Sequence, residues 1–216
     1  STKLSVEVYK DGQIYSQSYK IGKPDEPVKV TGKCSAEKHG TKVTFHPDPT
    51  IFEETVYDYD TLKQRLRETA FLTKGLRIVL SDARVDPVHT HEFHYAGGIK
   101  EFVTYLNKSK EALYPEVIYC EGTRDGVYVE VAMQHNDSYN DATYSFVNNI
   151  ITPEGGTHLA GFRNALTKTF NTYARANKIL KDTEPALTGD DIREGLTAII
   201  SIKIEEPQFE GQTKQK

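Results

Sequence analysis

The sequence contains few cysteines and no long apolar run. No stretch approaches the about 20 consecutive apolar residues that a membrane-spanning helix needs, and the N-terminus has neither the basic nor the apolar region of a signal peptide. The two cysteines, Cys34 and Cys120, lie far apart without the spacing of a metal site, and one possible pair does not make a disulfide scaffold in a chain of 216 residues. These absences predict a cytoplasmic protein with no membrane partner, in which both cysteines are free thiols and at least half-buried.

An excess of positive charge is also absent. The formal net charge is -4. Residues 1–96 carry equal numbers of basic and acidic side chains, and residues 97–216 carry more acidic than basic ones. Domains that hold nucleic acid along a broad surface are usually basic. Any contact with DNA is therefore expected to be local and to depend on single cations.

Turn signals divide the first 96 residues into short strands and one helix. Apolar residues alternate on both sides of Lys10-Asp11-Gly12, a pattern that is typical of a β-hairpin. A helix is predicted to begin with Asp60 as its N-cap and to end at Gly75. The other strands that we predict in this half cover residues 28–30, 41–45, 76–80 and 92–95.

The pattern changes at Ala96-Gly97-Gly98, where we place a domain boundary between residues 1–96 and 97–216. Beyond it, a second hairpin is predicted around Arg124-Asp125-Gly126. A long helix with Thr157 as its N-cap should follow, with Arg163 on the flank of an apolar stripe that faces the core. The stripe consists of Leu159, Phe162, Leu166, Phe170 and Tyr173.

A short helix near residues 99–107 and strands at 144–147 and 198–204 complete the second half. Strands and helices alternate without a regular βαβ rhythm, and this sheet is expected to be antiparallel at least in part. The sequence therefore predicts an α+β fold with two sheets, each covered by helices.

Three histidines, His89, His91 and His94, lie close together before the predicted boundary. The two-residue spacing puts a pair of imidazoles on one face of a strand, as a metal site would need. The sequence places no acidic or cysteine partner to complete that site. We interpret these residues as a solvated loop and strand end, and we predict no metal.

Two further patterns have simple structural explanations. Asp58 and Asp60 resemble a carboxylate pair for a divalent cation, but an N-cap and an acid near a helix N-terminus explain them equally well. Gly155 and Gly156 precede the long helix, whose free N–H groups could receive an anion. These glycines also permit a tight turn, and neither the Walker lysine spacing nor the dinucleotide fingerprint is present.

The last pattern is the C-terminal segment Gln212-Thr213-Lys214. A lysine on a loop that follows a rigid strand can touch a terminal phosphate, because its ammonium group is a mobile point charge. The amide of Gln212 could add a directional hydrogen bond. Taken alone, this tripeptide is typical of a solvated polar tail, so its interpretation depends on the rest of the chain.

Several long and unusual motifs follow one another along the chain. In this order they resemble the family of bacterial DNA gyrase B subunits, which are type II topoisomerases, from just after the ATP lid to the Gln-Thr-Lys loop. The motifs are Phe45-His-Pro-Asp-Pro, Tyr57-Asp-Tyr-Asp60, Arg65-Leu-Arg-Glu-Thr-Ala-Phe-Leu-Thr-Lys-Gly75, Phe93-His-Tyr-Ala-Gly-Gly-Ile99, Tyr105-Leu-Asn107, Val129-Glu-Val-Ala132, Asn148-Asn-Ile150, Glu154-Gly-Gly-Thr-His158, Gly189-Asp-Asp-Ile-Arg-Glu-Gly195 and Pro207-Gln-Phe-Glu-Gly-Gln-Thr-Lys214.

The resemblance implies a fold for each half. Residues 1–96 would be the C-terminal half of an ATPase sandwich of the GHKL type, which histidine kinases and mismatch-repair MutL proteins share. Residues 97–216 would be the transducer domain, with a β-α fold related to a ribosomal protein and a left-handed βαβ crossover. Such a crossover departs from the usual right-handed preference.

The resemblance also assigns roles to single residues. Thr41 would hydrogen-bond around the adenine pocket through a water and an acidic neighbour, and Val43 would help to line that pocket. Gln212 and Lys214 would reach the γ-phosphate of ATP. Arg163 would face the cavity between two transducers through which DNA passes.

Lys10 stands where the family more often has an arginine that borders the ATPase pocket and contacts aminocoumarin antibiotics. A lysine lacks the planar fork of arginine, so aminocoumarin affinity cannot be carried over from the family. By the same comparison, the chain is expected to lack the general-base glutamate, the Mg²⁺-holding asparagine, the adenine-binding aspartate and the glycine-rich lid. We therefore predict no catalytic residue in it, no bound nucleotide, and no activity of the chain alone.

For the full-length protein, the resemblance implies ATP and Mg²⁺ as cofactors. Its partners would be DNA, the A subunit of gyrase and a second copy of the B subunit. Contact between Lys214 and the γ-phosphate would couple ATP binding to clamp closure and DNA supercoiling. The B subunit of topoisomerase IV is an alternative, because it shares nearly every motif. A stand-alone nucleic-acid-binding module and a metal-dependent hydrolase that uses the histidines are alternatives of other classes.

Overall fold

The computed structural model describes residues 1–216, and the chain forms two compact units, Ser1–Asp58 and Tyr59–Lys216. None of the helices combines the length and the apolar character needed to cross a membrane. Strands and helices are both present without a repeating βαβ order, so the predicted α+β class is confirmed.

The first unit is a single five-stranded antiparallel sheet without a helix. Strand β1 (Lys3–Lys10) lies between β2 (Gln13–Lys20) and β5 (Gly40–His46). Strand β2 also pairs with two short strands, β3 (Lys23–Pro24) and β4 (Lys29–Lys33).

The turn between β1 and β2 has the geometry that its residues favour. Asp11 and Gly12 have φ angles of 52° and 75°, both in the left-handed region. A two-residue turn of this kind matches the right-handed twist of the strands that it joins. The strands pair without a gap from Lys3 and Lys20 to Lys10 and Gln13. The predicted first hairpin is confirmed.

No apolar side chain of the first unit is buried, and Asp48 is its only buried residue. Val43 and Phe45 on β5 are 54% and 50% exposed. The prediction that each sheet is covered by helices is therefore wrong for this unit, since Ser1–Asp58 contains no helix.

The second unit contains all the helices and the remaining strands. Its helices are α1 (Tyr59–Leu72), α2 (Ile99–Leu106), α3 (Thr157–Ala176) and α4 (Gly189–Arg193). Its strands are β6 (Arg77–Asp82), β7 (His89–His94), β8 (Ile118–Arg124), β9 (Val127–His135), β10 (Ala142–Val147), β11 (Ile150–Ile151) and β12 (Leu196–Lys203).

The main sheet of this unit has the strand order β11-β10-β12-β9-β8. The last strand, β12, enters the centre, where it runs parallel to β10 and antiparallel to β9. The prediction of a partly antiparallel sheet is confirmed. Strands β6 and β7 pair only with each other, so the chain has three sheets rather than the two predicted.

Helices cover both faces of the main sheet because neighbouring residues of β12 point to opposite sides. Ile199 belongs to a core cluster with α2 residues such as Phe102 and Val103. Ala198 and Ile200 belong to a second cluster with Leu166 of α3. The sheet therefore positions α3 and α4 on the face opposite α1 and α2.

The boundary between the compact units does not fall at Ala96-Gly97. Phe71 and Leu72 of α1 share one core with Ile99 and Phe102 of α2. Residues on both sides of the sequence-based boundary therefore pack together, and the chain divides into compact units between Asp58 and Tyr59. The assignment of residues 1–96 and 97–216 to two domains remains a prediction.

Several predicted details are corrected by the structure. Helix α1 begins at Tyr59, so Asp60 lies in its first turn rather than at the N-cap. The N-cap of α3 is Gly156, and Thr157 is its first helical residue. Tyr173 is exposed instead of facing the core. Cys120 is exposed on the edge strand β8, although we expected it to be at least half-buried.

Candidate functional site

Two predicted nucleotide-site residues lie together on β5 of the first unit. Thr41 and Val43 are alternate residues of one strand, so their side chains point to the same face of the sheet. Their partners on β1 are Val8 and Val6, respectively. Both candidates are exposed, which leaves this face open to a ligand within the first unit.

Lys10 lies at the end of β1, next to the start of β5. The preceding residue, Tyr9, is paired with Gly40, the first residue of β5. The ammonium group of Lys38 lies 4.1 Å from the centre of the Tyr9 ring. The pairing of Tyr9 with Gly40 places Lys10 at the same end of the sheet as Thr41, and its side chain is exposed.

Gln212 and Lys214 lie in the C-terminal segment of the second unit, and both are exposed. Lys214 has a φ angle of 55°, and its backbone N–H donates to the carbonyl of Gly211 over 3.4 Å. Its Nζ atom lies 5.5 Å from the centre of the Phe209 ring. This turn presents the lysine on the surface of the segment.

The C-terminal segment is held against the turn that precedes α3. The backbone N–H of Glu154 donates to the carbonyl of Gln215 over 3.0 Å. Glu210 and Lys216 are joined by a backbone hydrogen bond of 2.7 Å and a salt bridge of 3.4 Å. Gly156 and His158 line a cavity of about 460 Å³ together with residues of this segment. The structure thus brings together two patterns that the sequence presented separately.

The turn before α3 is shaped by its glycines. Gly155 and Gly156 have φ angles of 81° and 155°, and a Cβ atom on Gly156 would lie 2.9 Å from the His158 ring. His158 is half-buried, with its Nε2 atom 3.3 Å from the hydroxyl of Thr152. Burial lowers the pKa of His158. Burial therefore favours the neutral form of its imidazole, which brings no positive charge to the cavity.

Arg163 on α3 is engaged in an ion-pair network. Its Nη2 atom donates to the Oδ2 atom of Asp141 over 3.2 Å. Arg193 of α4 donates its Nε–H to the same oxygen over 3.0 Å and a second N–H to Asp190 over 2.6 Å. The sequence prediction named Arg163 but missed Asp141 and Arg193. These residues are far apart in the chain, and only the packing of α3 and α4 beside the start of β10 joins them.

The three histidines take up different environments. His89 stacks on Tyr59 with the ring centres 4.4 Å apart, and His91 packs against Phe93 at 4.5 Å. Burial, with smaller contributions from Lys63 and Arg67, lowers the pKa of His91. Nowhere in residues 1–216 do three or more His, Cys, Asp or Glu side chains form a group that could hold a metal ion.

Comparison with known proteins gives consistent results. The family model of DNA gyrase B matches residues 98–216. The whole chain is 54% identical to the DNA gyrase B subunit of Clostridium acetobutylicum and 50% identical to that of Enterococcus faecalis. It covers 33% and 34% of those proteins, so it spans about a third of the length of these curated relatives.

Solved structures agree with the sequence relatives. The 43K ATPase domain of Thermus thermophilus gyrase B, solved in complex with an aminocoumarin, superposes with a TM-score of 0.85 at 37% identity, covering 98% of this chain and 57% of that one. The ATP-binding domain of Francisella tularensis topoisomerase IV gives a TM-score of 0.79 at 26% identity, covering 100% of this chain and 57% of that one. Because the family model covers more than half of the chain, and relatives align over its whole length, the chain belongs to the DNA gyrase B family.

Proposed function

We propose that the chain is the ATP-coupling part of a gyrase-type topoisomerase B subunit. In the full-length protein, ATP binding and hydrolysis would drive DNA strand passage and negative supercoiling. The observation that carries this proposal is the 54% identity to the DNA gyrase B subunit of Clostridium acetobutylicum across the entire chain. The same matched region contains Thr41, Val43, Gln212 and Lys214, the residues to which we assign nucleotide contacts.

Lys214 and Gln212 are proposed to contact the γ-phosphate. Both are exposed, and the segment that carries them is anchored at Glu154. A γ-phosphate adds negative charge that an ammonium group can bind, and hydrolysis removes that partner. The contact would therefore favour one orientation of the transducer before hydrolysis and release it afterwards, which couples the nucleotide to closure of a dimeric clamp.

The other assigned residues complete the proposal. Thr41 and Val43 would contact the adenine end of the nucleotide, with Lys10 at the edge of the pocket. Arg163 would contact DNA. ATP and Mg²⁺ are the proposed cofactors. The proposed protein partners are the A subunit of gyrase and a second copy of the B subunit.

Replacing Lys214 by Ala in a full-length protein tests this role. Loss of a charge contact that acts in the transition state typically lowers turnover about 100-fold to 1,000-fold, so ATP hydrolysis and supercoiling should both fall by that amount. Lys216→Ala is the matched control, because Lys216 is a lysine of the same segment that pairs with Glu210. Both variants should keep the wild-type circular dichroism spectrum. Normal turnover of Lys214→Ala would refute the assignment.

Topoisomerase IV is the second candidate, supported by the Francisella tularensis structure at a TM-score of 0.79. A supercoiling assay with the gyrase A protein and ATP separates the two, since a gyrase introduces negative supercoils into relaxed plasmid. A product that stays relaxed would favour topoisomerase IV. A stand-alone nucleic-acid-binding module would require strong, salt-dependent DNA binding by the chain alone, which its net charge of -4 does not favour.

A further inference from the structure

Asp141 lies at the centre of a network that includes the proposed DNA-contacting residue Arg163. Its Oδ2 atom accepts hydrogen bonds from both Arg163 and Arg193, and its Oδ1 atom accepts one from the hydroxyl of Thr143. One carboxylate therefore holds two guanidinium groups that belong to different helices.

The two arginines are bound to this carboxylate unequally. The Arg193 side chain is 16% exposed and has a second carboxylate partner, Asp190, at 2.6 Å. The Arg163 side chain is 40% exposed and reaches Asp141 through a single contact at 3.2 Å. If Arg163 moved away, Asp141 would still be neutralised by Arg193 and hydrogen-bonded to Thr143. Removing Arg163 thus leaves no buried charge without a partner.

Arg163 is also incompletely satisfied in this arrangement. Its Nε–H is buried and has no hydrogen-bond acceptor. A buried donor without an acceptor is unfavourable, and the guanidinium fork of arginine can bind a phosphate through two parallel N–H groups. A movement from Asp141 to a phosphate would therefore give Arg163 more hydrogen bonds than it has here.

We propose that Asp141 is a positioning residue that holds Arg163 away from DNA until a backbone phosphate takes its place, while Arg193 remains with Asp141. This inference rests on the proposed DNA contact of Arg163. It adds that Arg163 exchanges one anionic partner, the Asp141 carboxylate, for another, the DNA phosphate. Removal of the Asp141 charge should therefore strengthen the DNA contact instead of weakening it.

The test measures DNA-stimulated ATP hydrolysis of the full-length protein at several salt concentrations. Asp141→Asn keeps the size of the side chain and removes its charge. The DNA concentration for half-maximal stimulation should fall about twofold to fivefold, the effect of losing one half-exposed ion pair. The slope of DNA affinity against salt concentration should stay the same, because Arg163 neutralises one phosphate in the DNA complex of both proteins.

Four further variants distinguish the exchange from a general structural effect. Asp190→Asn removes a carboxylate that pairs with Arg193 but not with Arg163, and it should leave the DNA response unchanged. Asp141→Glu keeps the charge and should behave like the wild type. In an Arg163→Ala background, Asp141→Asn should have no further effect. The midpoint of thermal unfolding of each variant shows whether the fold is retained.

The outcomes separate this inference from the function on which it rests. If Arg163→Ala weakens the DNA response but Asp141→Asn leaves it unchanged or weakens it, the exchange is refuted and the DNA contact stands. If Asp141→Asn has the same effect with and without Arg163, the exchange is also refuted. If Arg163→Ala leaves the DNA response unchanged, the proposed DNA contact itself fails.

Discussion

Each compact unit contains a five-stranded sheet, but the two sheets are stabilised differently. In Ser1–Asp58, five strands pair along their lengths while no apolar side chain is buried. In Tyr59–Lys216, helices pack on both faces of a five-stranded sheet and all the buried apolar side chains of the chain are found there. Strand pairing can thus define a register without a core, whereas most of the stabilising burial lies in the second unit.

The largest effect on stability is expected from the replacement of one phenylalanine in the second unit, compared with one in the first. Phe71 is 1% exposed and stacks on Tyr95 and Phe102 with ring centres 3.7 Å and 4.6 Å away. Phe71→Ala should lower the free energy of unfolding by about 3–5 kcal/mol. Phe45→Ala should cost about 1 kcal/mol or less, because Phe45 is already 50% exposed. Urea unfolding followed by circular dichroism measures both, and equal losses would contradict the comparison.

Two glycines with similar backbone angles give the next test. Gly195 in the second unit and Gly22 in the first have φ angles of 70° and 76°. A Cβ atom on Gly195 would lie 2.5 Å and 2.6 Å from the carbonyl oxygens of Asn136 and Ser138, whereas one on Gly22 would contact nothing within 4 Å.

Gly22→Ala should therefore cost only the left-handed backbone penalty, about 1–2 kcal/mol. Gly195→Ala should cost about 2–5 kcal/mol, because overpacking against the backbone adds to the same penalty. The difference between the two unfolding free energies reports the space around each turn. A Gly195→Ala variant no less stable than Gly22→Ala would show that the backbone around Asn136 relaxes freely.

The smallest effect on stability is expected when the pH is lowered until single carboxyl groups become protonated. Hydrogen bonds from the side chain and backbone N–H of Arg84 lower the pKa of Asp82 in the second unit to about 2. In the first unit, hydrogen bonds from the hydroxyl and backbone N–H of Thr50 lower the pKa of Asp48. A carboxyl group with a lowered pKa stabilises the fold above its unfolded pKa of about 4, and this stabilisation is lost as the pH falls through the folded pKa.

The part of the stability that depends on Asp82 should therefore disappear between about pH 4 and pH 2, and Asp82→Asn should remove it. Carbon NMR titration of the carboxyl groups gives both pKa values directly. Added salt should raise the pKa of Asp82 toward its ordinary value, because its partner is a cation. Asp48 should respond less, since its hydrogen-bond partners are neutral and the charge of the N-terminus makes the smallest contribution to its pKa. Equal responses to salt would contradict these causes.

Local features of the fold could be predicted from the sequence because neighbouring residues determine them. Lys10-Asp11-Gly12 and Arg124-Asp125-Gly126 both predicted hairpins, and Asp11 and Asp125 adopt the left-handed φ angles that such turns require. The helix that starts near Ile99 was also predicted within a residue of its observed end. Helix starts were less accurate, as Asp60 and Thr157 show, because several adjacent residues can serve as the N-cap.

Features that depend on distant residues could not be predicted. Nothing local in Leu196–Lys203 indicates that this strand would enter between β9 and β10, with one parallel and one antiparallel neighbour. Nor does the pattern around Ala96 show that α1 shares a core with α2. Such pairings depend on which apolar faces meet after the chain has folded, and local sequence patterns do not reveal them.

The candidate site likewise combines features that the sequence predicts with features that only the fold creates. The family resemblance, the hairpins and the candidates Lys214, Gln212, Thr41 and Arg163 follow from the sequence, because motifs and turns are properties of contiguous residues. The position of the C-terminal segment on the turn before α3, and the pairing of Asp141 with Arg163 and Arg193, are visible only in the folded chain. Hydrogen bonds and ion pairs act over a few ångströms, and the fold alone brings residues from distant parts of the chain within that range.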